Sequence, residues 1–203
     1  MAGLWQRLSE LDTSLFLWIN QAWANPGLDW LMPQVSLWLP LAPLLAVGVW
    51  LALAQGVRGR YILVGCALLF LLTDWVTTQA LRPYFARLRP YACLEGIRYT
   101  FGAEWHLSTA ASMAKAGAAF GLPSAHAANS MGPAVFLWRF YPRLGMTLAA
   151  LALLVGLSRI YTGVHFPGDV LAGFVWGGAC AWGWSYVTGR VLRRRQPITH
   201  KSL

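Results

Sequence analysis

Residues 31–56 carry no charged side chain, and a run longer than the ~20 apolar residues that cross a hydrocarbon core leaves few folds open. In lipid every backbone N–H and C=O must be satisfied inside the protein, so spanning segments are helices or closed barrels. Four more apolar stretches follow at 61–81, 123–138, 144–157 and 170–189, and Asp74 is the one charge among them. Together they predict an all-α integral membrane helical bundle of about five transmembrane helices, forming one domain over residues 1–203. Pro40 and Pro43 are expected to kink the outer half of the first span. A composition of 57% hydrophobic and 11% charged residues agrees with that class.

Ahead of the first span, Leu4, Leu8, Leu11, Leu15 and Trp18 recur at three- and four-residue steps and line one helical face. Residues 1–26 therefore read as an amphipathic helix lying in the membrane interface. Ala22-Trp23-Ala24 resembles a signal-peptide cleavage site, but Glu10 and Asp12 occupy its approach and the apolar run at 15–19 is short.

The net charge of +9 does not imply a nucleic acid partner, because the basic residues are scattered between apolar spans instead of gathered on one face. Positive-inside loops account for them. Nine of the 16 lysines and arginines (Arg58, Arg60, Arg139, Arg143, Arg190, Arg193, Arg194, Arg195 and Lys201) fall on one side, leaving seven opposite. That side, with the basic tail at 190–203, is expected to be cytoplasmic. Trp5, Trp18, Trp23, Trp30, Trp38 and Trp105 mostly mark the outer boundary as a belt. The three cysteines show neither a disulfide framework nor metal-ligand spacing.

Three polar constellations gather at the outer boundary. Residues 82–90 place Arg82, Arg87 and Arg89 close together, where a membrane anchor would need one cation. Bidentate guanidiniums suit a phosphate near double ionisation, and by spacing Arg87 is the weakest of the three. Pro123-Ser124-Ala125-His126 reads as a helix opening whose free N–H groups, at Ala125 and beyond, bind phosphate. The Ser124 hydroxyl can add a bond, and His126 is placed to protonate a leaving oxygen. In the third constellation, residues 158–169, Arg159 offers a fork of donors and His165 a nucleophile that is partly neutral near pH 7. If Pro167 opens a helix, Asp169 falls in its first turn and can accept the Nδ1–H of His165, leaving Nε2 to attack. Asp74 reads as a structural partner and is kept out of the site.

The three constellations resemble, in order, the motifs of the type 2 phosphatidic acid phosphatase superfamily: Lys-x6-Arg-Pro, Pro-Ser-Gly-His and Ser-Arg-x5-His-x3-Asp. The third matches fully as Ser158, Arg159, His165 and Asp169. Arg82 replaces lysine in the first, ahead of Arg89 and Pro90, and Ala125 replaces glycine in the second. The resemblance implies His165 as a phosphohistidine-forming nucleophile, Asp169 as its orienter and His126 as general acid. Arg82, Arg89, Ser124, Ala125 and Arg159 would bind the phosphate. Ala125 would matter only where the backbone is left-handed.

No metal or other cofactor is expected, since among the seven acids only Asp169 lies in a motif and arginines stand where Mg²⁺ would. The implied partner is a lipid phosphate whose tail stays in the membrane. Undecaprenyl diphosphate comes first by resemblance to short bacterial members, which implies a bacterial inner-membrane protein with its site on the periplasmic side. Phosphatidate, phosphatidylglycerophosphate and lipid A phosphates are the alternatives. A vanadium haloperoxidase fits five spans poorly, and a lipid transporter would carry polar groups deep in several spans. Residues 83–122 are long enough to form a lid over the site.

Overall fold

The computed structural model describes residues 2–37, 41–102 and 104–195, most of them helical. Helix α1 (Ala2–Leu17) continues through a π-helical turn, Trp18–Ala22. Leu4, Trp5, Leu8, Leu11 and Leu15 are exposed along it, an apolar stripe that the bundle leaves uncovered. The opposite face buries Phe16, whose ring meets Phe166 edge-on at 5.3 Å.

Helix α2 (Pro26–Leu37) starts earlier than the apolar run because Asn25-Pro26 is a helix-opening pair: the Asn25 side chain accepts the Leu28 N–H at 3.0 Å. The stretch expected as one span is helical on both sides of residues 38–40, as the end of α2 and as α3 (Leu41–Ala54). Residues 38–40, with Trp38 and the kink expected at Pro40, lie outside the described residues, as do Lys201 and the rest of the tail beyond Arg195. Helix α4 (Gly56–Val76) passes through a second π-helical turn, Thr77–Leu81, into α5 (Arg82–Phe85), which stops where Ala86 turns left-handed at φ 48°.

The connection at 83–122 is more structured than a plain lid. After α6 (Pro90–Cys93) an antiparallel hairpin pairs β1 (Arg98–Phe101) with β2 (Glu104–Leu107), Arg98 opposite Leu107. The all-helical expectation did not include these strands; Arg98-Tyr99-Thr100-Phe101 is rich in β-branched and aromatic residues, and Gly102 takes φ +67° at the bend. Helix α7 (Ala110–Ala116) opens on a Thr109/Ser112 capping box.

Helices α8 (Ala125–Trp138), α9 (Pro142–Tyr161) and α10 (Pro167–Arg195) complete the bundle. All five expected apolar stretches are helical over most of their described length; Gln55, Pro123 and Ser124 are not. By length and composition, the stretches Pro26–Ala54, Gly56–Phe85 and Pro142–Tyr161 can cross a membrane. Helix α8 is only about 21 Å long at 1.5 Å per residue, but it is the central element, packed against α4, α9 and α10. Its close contact with α10 depends on Gly173 and Gly177, where a Cβ would strike the Ser124 and Ala128 carbonyls. Leu45, Leu53, Val64, Leu71, Leu153 and Val175 are exposed on the bundle's outside, as expected when lipid is the solvent.

Candidate active site

Each helix that reaches the α8 N-terminus delivers part of one site. Arg82 follows the π-helical turn of Thr77–Leu81, a distortion frequent at functional sites because it rotates what comes after it. Arg89 precedes α6, Ser124 to His126 open α8, Arg159 lies in the last turn of α9, and Asp169 in the first turn of α10. Arg89, His126 and Arg159 line a cavity of about 210 Å³ together with Ser36, Tyr91 and Tyr99. A second cavity of about 440 Å³ shares these three residues with Arg82 and Ala125 and is otherwise lined by Leu37, Leu44, Phe70, Asp74, Asn129 and Ser130, among others.

The arginines are held so that donors remain for a ligand. Arg82 Nε donates to the Pro123 carbonyl and Arg89 Nε to the Phe120 carbonyl, each at 3.2 Å, which directs the Nη groups away from the backbone. Arg159 has a buried Nε with no partner. Ser124 is fully buried; its Oγ caps α8 by accepting the Ala127 N–H at 3.4 Å, and its own N–H donates to the Asp169 carbonyl at 2.9 Å. Ala125 begins α8 without a positive φ, so alanine for glycine costs the backbone nothing here. The first-turn amides lack intrahelical acceptors and face anion-binding duty. His126 is exposed and borders both cavities.

His165, in the loop between α9 and α10, is 1% exposed, and its Nε2 is buried with no partner. Nδ1 lies 3.4 Å from Asp169 Oδ2, which also accepts the Phe166 N–H at 3.1 Å. Such a length is weak for a hydrogen bond, though catalytic contacts of this kind tighten when substrate binds. Burial, followed by the charges of Arg89, Arg159 and Arg82, holds the imidazole well below its ordinary pKa. The ring is therefore neutral at pH 7, with an unprotonated nitrogen for phosphorus when Nδ1 carries the proton.

Every residue singled out in the sequence comes to this end of the bundle, but not all in the expected position. Arg87 turns away from the cavities: Nη1 pairs with Asp169 Oδ1 at 2.9 Å and Nη2 with Asp12. Ser158 lies behind the site, sharing a buried 2.8 Å hydrogen bond with Ser36. Asp74 accepts from Asn129 at 2.7 Å at the cavity wall. Three residues passed over in the sequence build the outer shell. Asn20 donates at 2.8 Å to the carbonyls of both Arg98 and Tyr161, and Asp29 accepts from Arg98 and from the Tyr161 hydroxyl, both at 2.6 Å. Asp12 accepts the Gly168 N–H at 2.7 Å. Their signal was the scarcity of acids: seven in the chain, two of them here beside a membrane boundary. Gly163, at φ +75°, lies against the Arg98 carbonyl where no side chain fits, and lets the hairpin close over the α9 terminus.

A helical membrane bundle with guanidiniums and imidazoles at one mouth, opening on an apolar gap, defines a phosphatase of membrane lipids. The chain belongs to the PAP2 superfamily, whose family profile matches residues 62–193. It is 29% identical over 200 residues to a lipid A 4'-phosphatase of Bacteroides thetaiotaomicron, covering 95% of this chain and 83% of that one. A lipid A 4'-phosphatase of Porphyromonas gingivalis is 28% identical over 172 residues, 83% of this chain and 69% of its own length. In fold the chain is similar to the crystal structure of Aquifex aeolicus LpxE, with TM-score 0.63 and 24% identity over 86% of this chain and 94% of that one. A transmembrane phosphatidylglycerolphosphate phosphatase from Bacillus subtilis superposes with TM-score 0.60 and 19% identity over 95% and 89%.

Proposed function

We propose that this chain removes a phosphate from a lipid A-type glycolipid through a phosphohistidine on His165. The observation that carries the mechanism is the buried, unpartnered Nε2 of His165 amid the charges of Arg82, Arg89 and Arg159. Arg82, Arg89, Arg159, the Ser124 hydroxyl and the Ala125 N–H bind the non-bridging oxygens. Nε2 attacks phosphorus while Asp169 accepts the Nδ1–H, and His126 gives a proton to the departing sugar oxygen. His126, now neutral, takes a proton from water, which attacks phosphorus and releases phosphate with His165 restored. Guanidiniums carry the charge that Mg²⁺ carries in many phosphoryl transfers.

The relatives' names move the proposed substrate from undecaprenyl diphosphate, the first expectation, to lipid A phosphate, one of its alternatives, at the 4' position. Cavity volume and lining are compatible with a headgroup of that kind. About 440 Å³ falls within the ~300–1,000 Å³ of small-molecule sites, enough for one sugar phosphate while the acyl chains stay in lipid. Asp74, Asn129 and Ser130 offer hydrogen bonds there, and Leu44 and Phe70 face the first chain carbons. The charge asymmetry supports a periplasmic site: the chain runs from Arg58 in α4 to Arg82 in α5, α8 runs from beside Ser124 to the residue before Arg139, and α10 from Asp169 to Arg190, Arg193 and Arg194.

The test is phosphate release by the detergent-purified protein from lipid A, undecaprenyl diphosphate and phosphatidylglycerophosphate, with the lipid products located by mass fragmentation. Loss of the 4'-phosphate as the fastest reaction is expected; preference for either other lipid would refute the substrate. For sidedness, a Ser202→Cys variant lacking the native cysteines should resist an impermeant thiol reagent in intact cells, and labelling there would reverse the topology.

A further inference from the structure

Arg87 was the arginine least suited by spacing to hold phosphate, and it is the one that meets both an active-site carboxylate and the N-terminal helix. Its guanidinium bridges Asp169 Oδ1, at 2.9 Å, and Asp12 Oδ2, and lies 4.3 Å from the centroid of the Phe166 ring. Asp12 Oδ1 reaches past it to the Gly168 N–H at 2.7 Å, in the opening turn of α10. The pair packs closely on that turn: a Cβ on Gly168 would stand 3.0 Å from Asp12 Oδ2 and 3.2 Å from Arg87 Nη1. At the other end, the Arg87 carbonyl accepts the Gly121 N–H at 2.8 Å, tying the same residue to the loop that leads into Ser124.

We propose that Arg87 and Asp12 are positioning residues for the His165–Asp169 pair, and that docking of α1 thereby sets the rate at which the nucleophile is phosphorylated. The Asp169 side chain has no exposed surface, so as a carboxylate it needs a charged partner within the protein. Arg87 is that partner. The two Asp169 oxygens are divided: Oδ1 is taken by Arg87, while Oδ2 is left to the Phe166 amide and to His165 Nδ1. Holding Oδ1 fixes the rotation of the carboxylate and so aims Oδ2 at the imidazole. Asp12 aims Arg87 in turn, because a fork with one nitrogen anchored on α1 cannot swing toward the phosphate cavity.

This rests on the reading of His165 as nucleophile, and the experiment separates the two. Full-length protein in detergent is mixed with p-nitrophenyl phosphate, and phosphoenzyme formation is followed by rapid alkaline quench alongside kcat and KM. Asp12→Asn keeps an oxygen for the Gly168 N–H and removes only the charge; it is expected to slow formation about 10-fold with KM within about threefold. Arg87→Gln should slow it roughly 100-fold, as the loss of a carboxylate's orientation would, and Asp12→Asn/Arg87→Gln should lie within about twofold of Arg87→Gln alone because Asp12 acts through Arg87. Asp12→Glu should recover most of the loss. If Arg87→Gln does not fold, as judged by thermal melting, the Asp12 variants decide. Unchanged formation in Asp12→Asn, a change confined to KM, or two losses that multiply would overturn the relay. Absence of any phosphoenzyme in the unsubstituted protein would overturn the phosphohistidine reading and the relay with it.

Discussion

Gly121→Ala is a small change with a large expected effect. Gly121 has no positive φ, so alanine suits its backbone; what it lacks is room. A Cβ there would stand 2.8 Å from Asp169 Oδ2, 3.1 Å from Arg89 Cγ and 3.4 Å from His165 Nδ1. The Arg89 stem can yield, being an aliphatic chain beside a cavity. The carboxylate cannot do so freely, because Arg87 holds Oδ1 at 2.9 Å and the Phe166 amide holds Oδ2 at 3.1 Å. Displacing Oδ2 by a few tenths of an ångström from a contact already 3.4 Å long removes what remains of its bond to the imidazole. Removing an orienting carboxylate costs about 10⁴ in the serine-protease triad; for displacement without removal we expect kcat to fall about 30-fold, equivalent to about 2 kcal/mol of barrier. Gly178→Ala is the control, since only Val135 Cγ2, at 3.8 Å, approaches a Cβ there. Steady-state hydrolysis of p-nitrophenyl phosphate and a thermal melt on both variants suffice. Gly121→Ala with kcat within twofold of the parent would refute the claim that Asp169 sets the rate through His165.

The two histidines should separate with the same substrate: His126→Ala should accumulate an acid-labile phosphoprotein, since its aryl leaving group needs little protonation, whereas His165→Ala should trap none. The reverse pattern would exchange their roles. Activity should persist in excess chelator and be inhibited by vanadate; loss on chelation restored by Mg²⁺ would replace guanidinium stabilisation with a metal. Because burial and three arginines depress the His165 pKa, its protonation should reduce kcat/KM only below pH 6.5. With p-nitrophenyl phosphate, a limb on which kcat/KM rises with pH above 6.5, after correction for the ionisation of the substrate, would contradict that environment.

The grouping of the candidate residues was legible where their spacing is local and obscure where it depends on long-range pairing. His165 and Asp169 are four residues apart across a helix opening, and Ser124 and His126 share one turn, so their spacing predicts the proximity that the structure shows. Arg82 and Arg89 could be grouped with them because the helix boundaries expected near Pro83 and Pro90 put both at the same end of the bundle. The role of Arg87 could not be read, since its partners lie 75 and 82 positions away and a cluster of three arginines does not say which one turns inward. Asn20 and Asp29 were hidden for the same reason, their partners in the hairpin and at the α9 terminus being set by tertiary packing. The fold was clearer, because hydropathy registers every apolar stretch, whether it faces lipid or, as in α8, mostly other helices. The hairpin escaped notice because strands of four residues between polar segments leave little periodicity to count.

Charge placement decides which headgroup suits the gap. Three guanidiniums (Arg82, Arg89 and Arg159) and one carboxylate, Asp74, line the larger cavity, which leaves two positive charges for one phosphate monoester near double ionisation. A lipid diphosphate brings its second phosphate between the reacting one and the tail, in the gap lined by Asp74, Asn129 and Ser130. Among the described residues no arginine lines it beyond the three proposed to hold the first phosphate, and Asp74 would repel it. A sugar hydroxyl or amide at that point would instead donate to the Asp74 carboxylate, whose Oδ1 already accepts from Asn129. Asp74→Asn removes the repulsion and keeps an acceptor. We therefore expect it to raise kcat/KM for undecaprenyl diphosphate about threefold to 10-fold, roughly the 1 kcal/mol of a screened charge pair, while lipid A hydrolysis falls by a similar factor. Equal changes on both lipids would mean that Asp74 supports the helix without sensing the headgroup. A selective loss on the diphosphate would place the second phosphate elsewhere and return undecaprenyl diphosphate to first place.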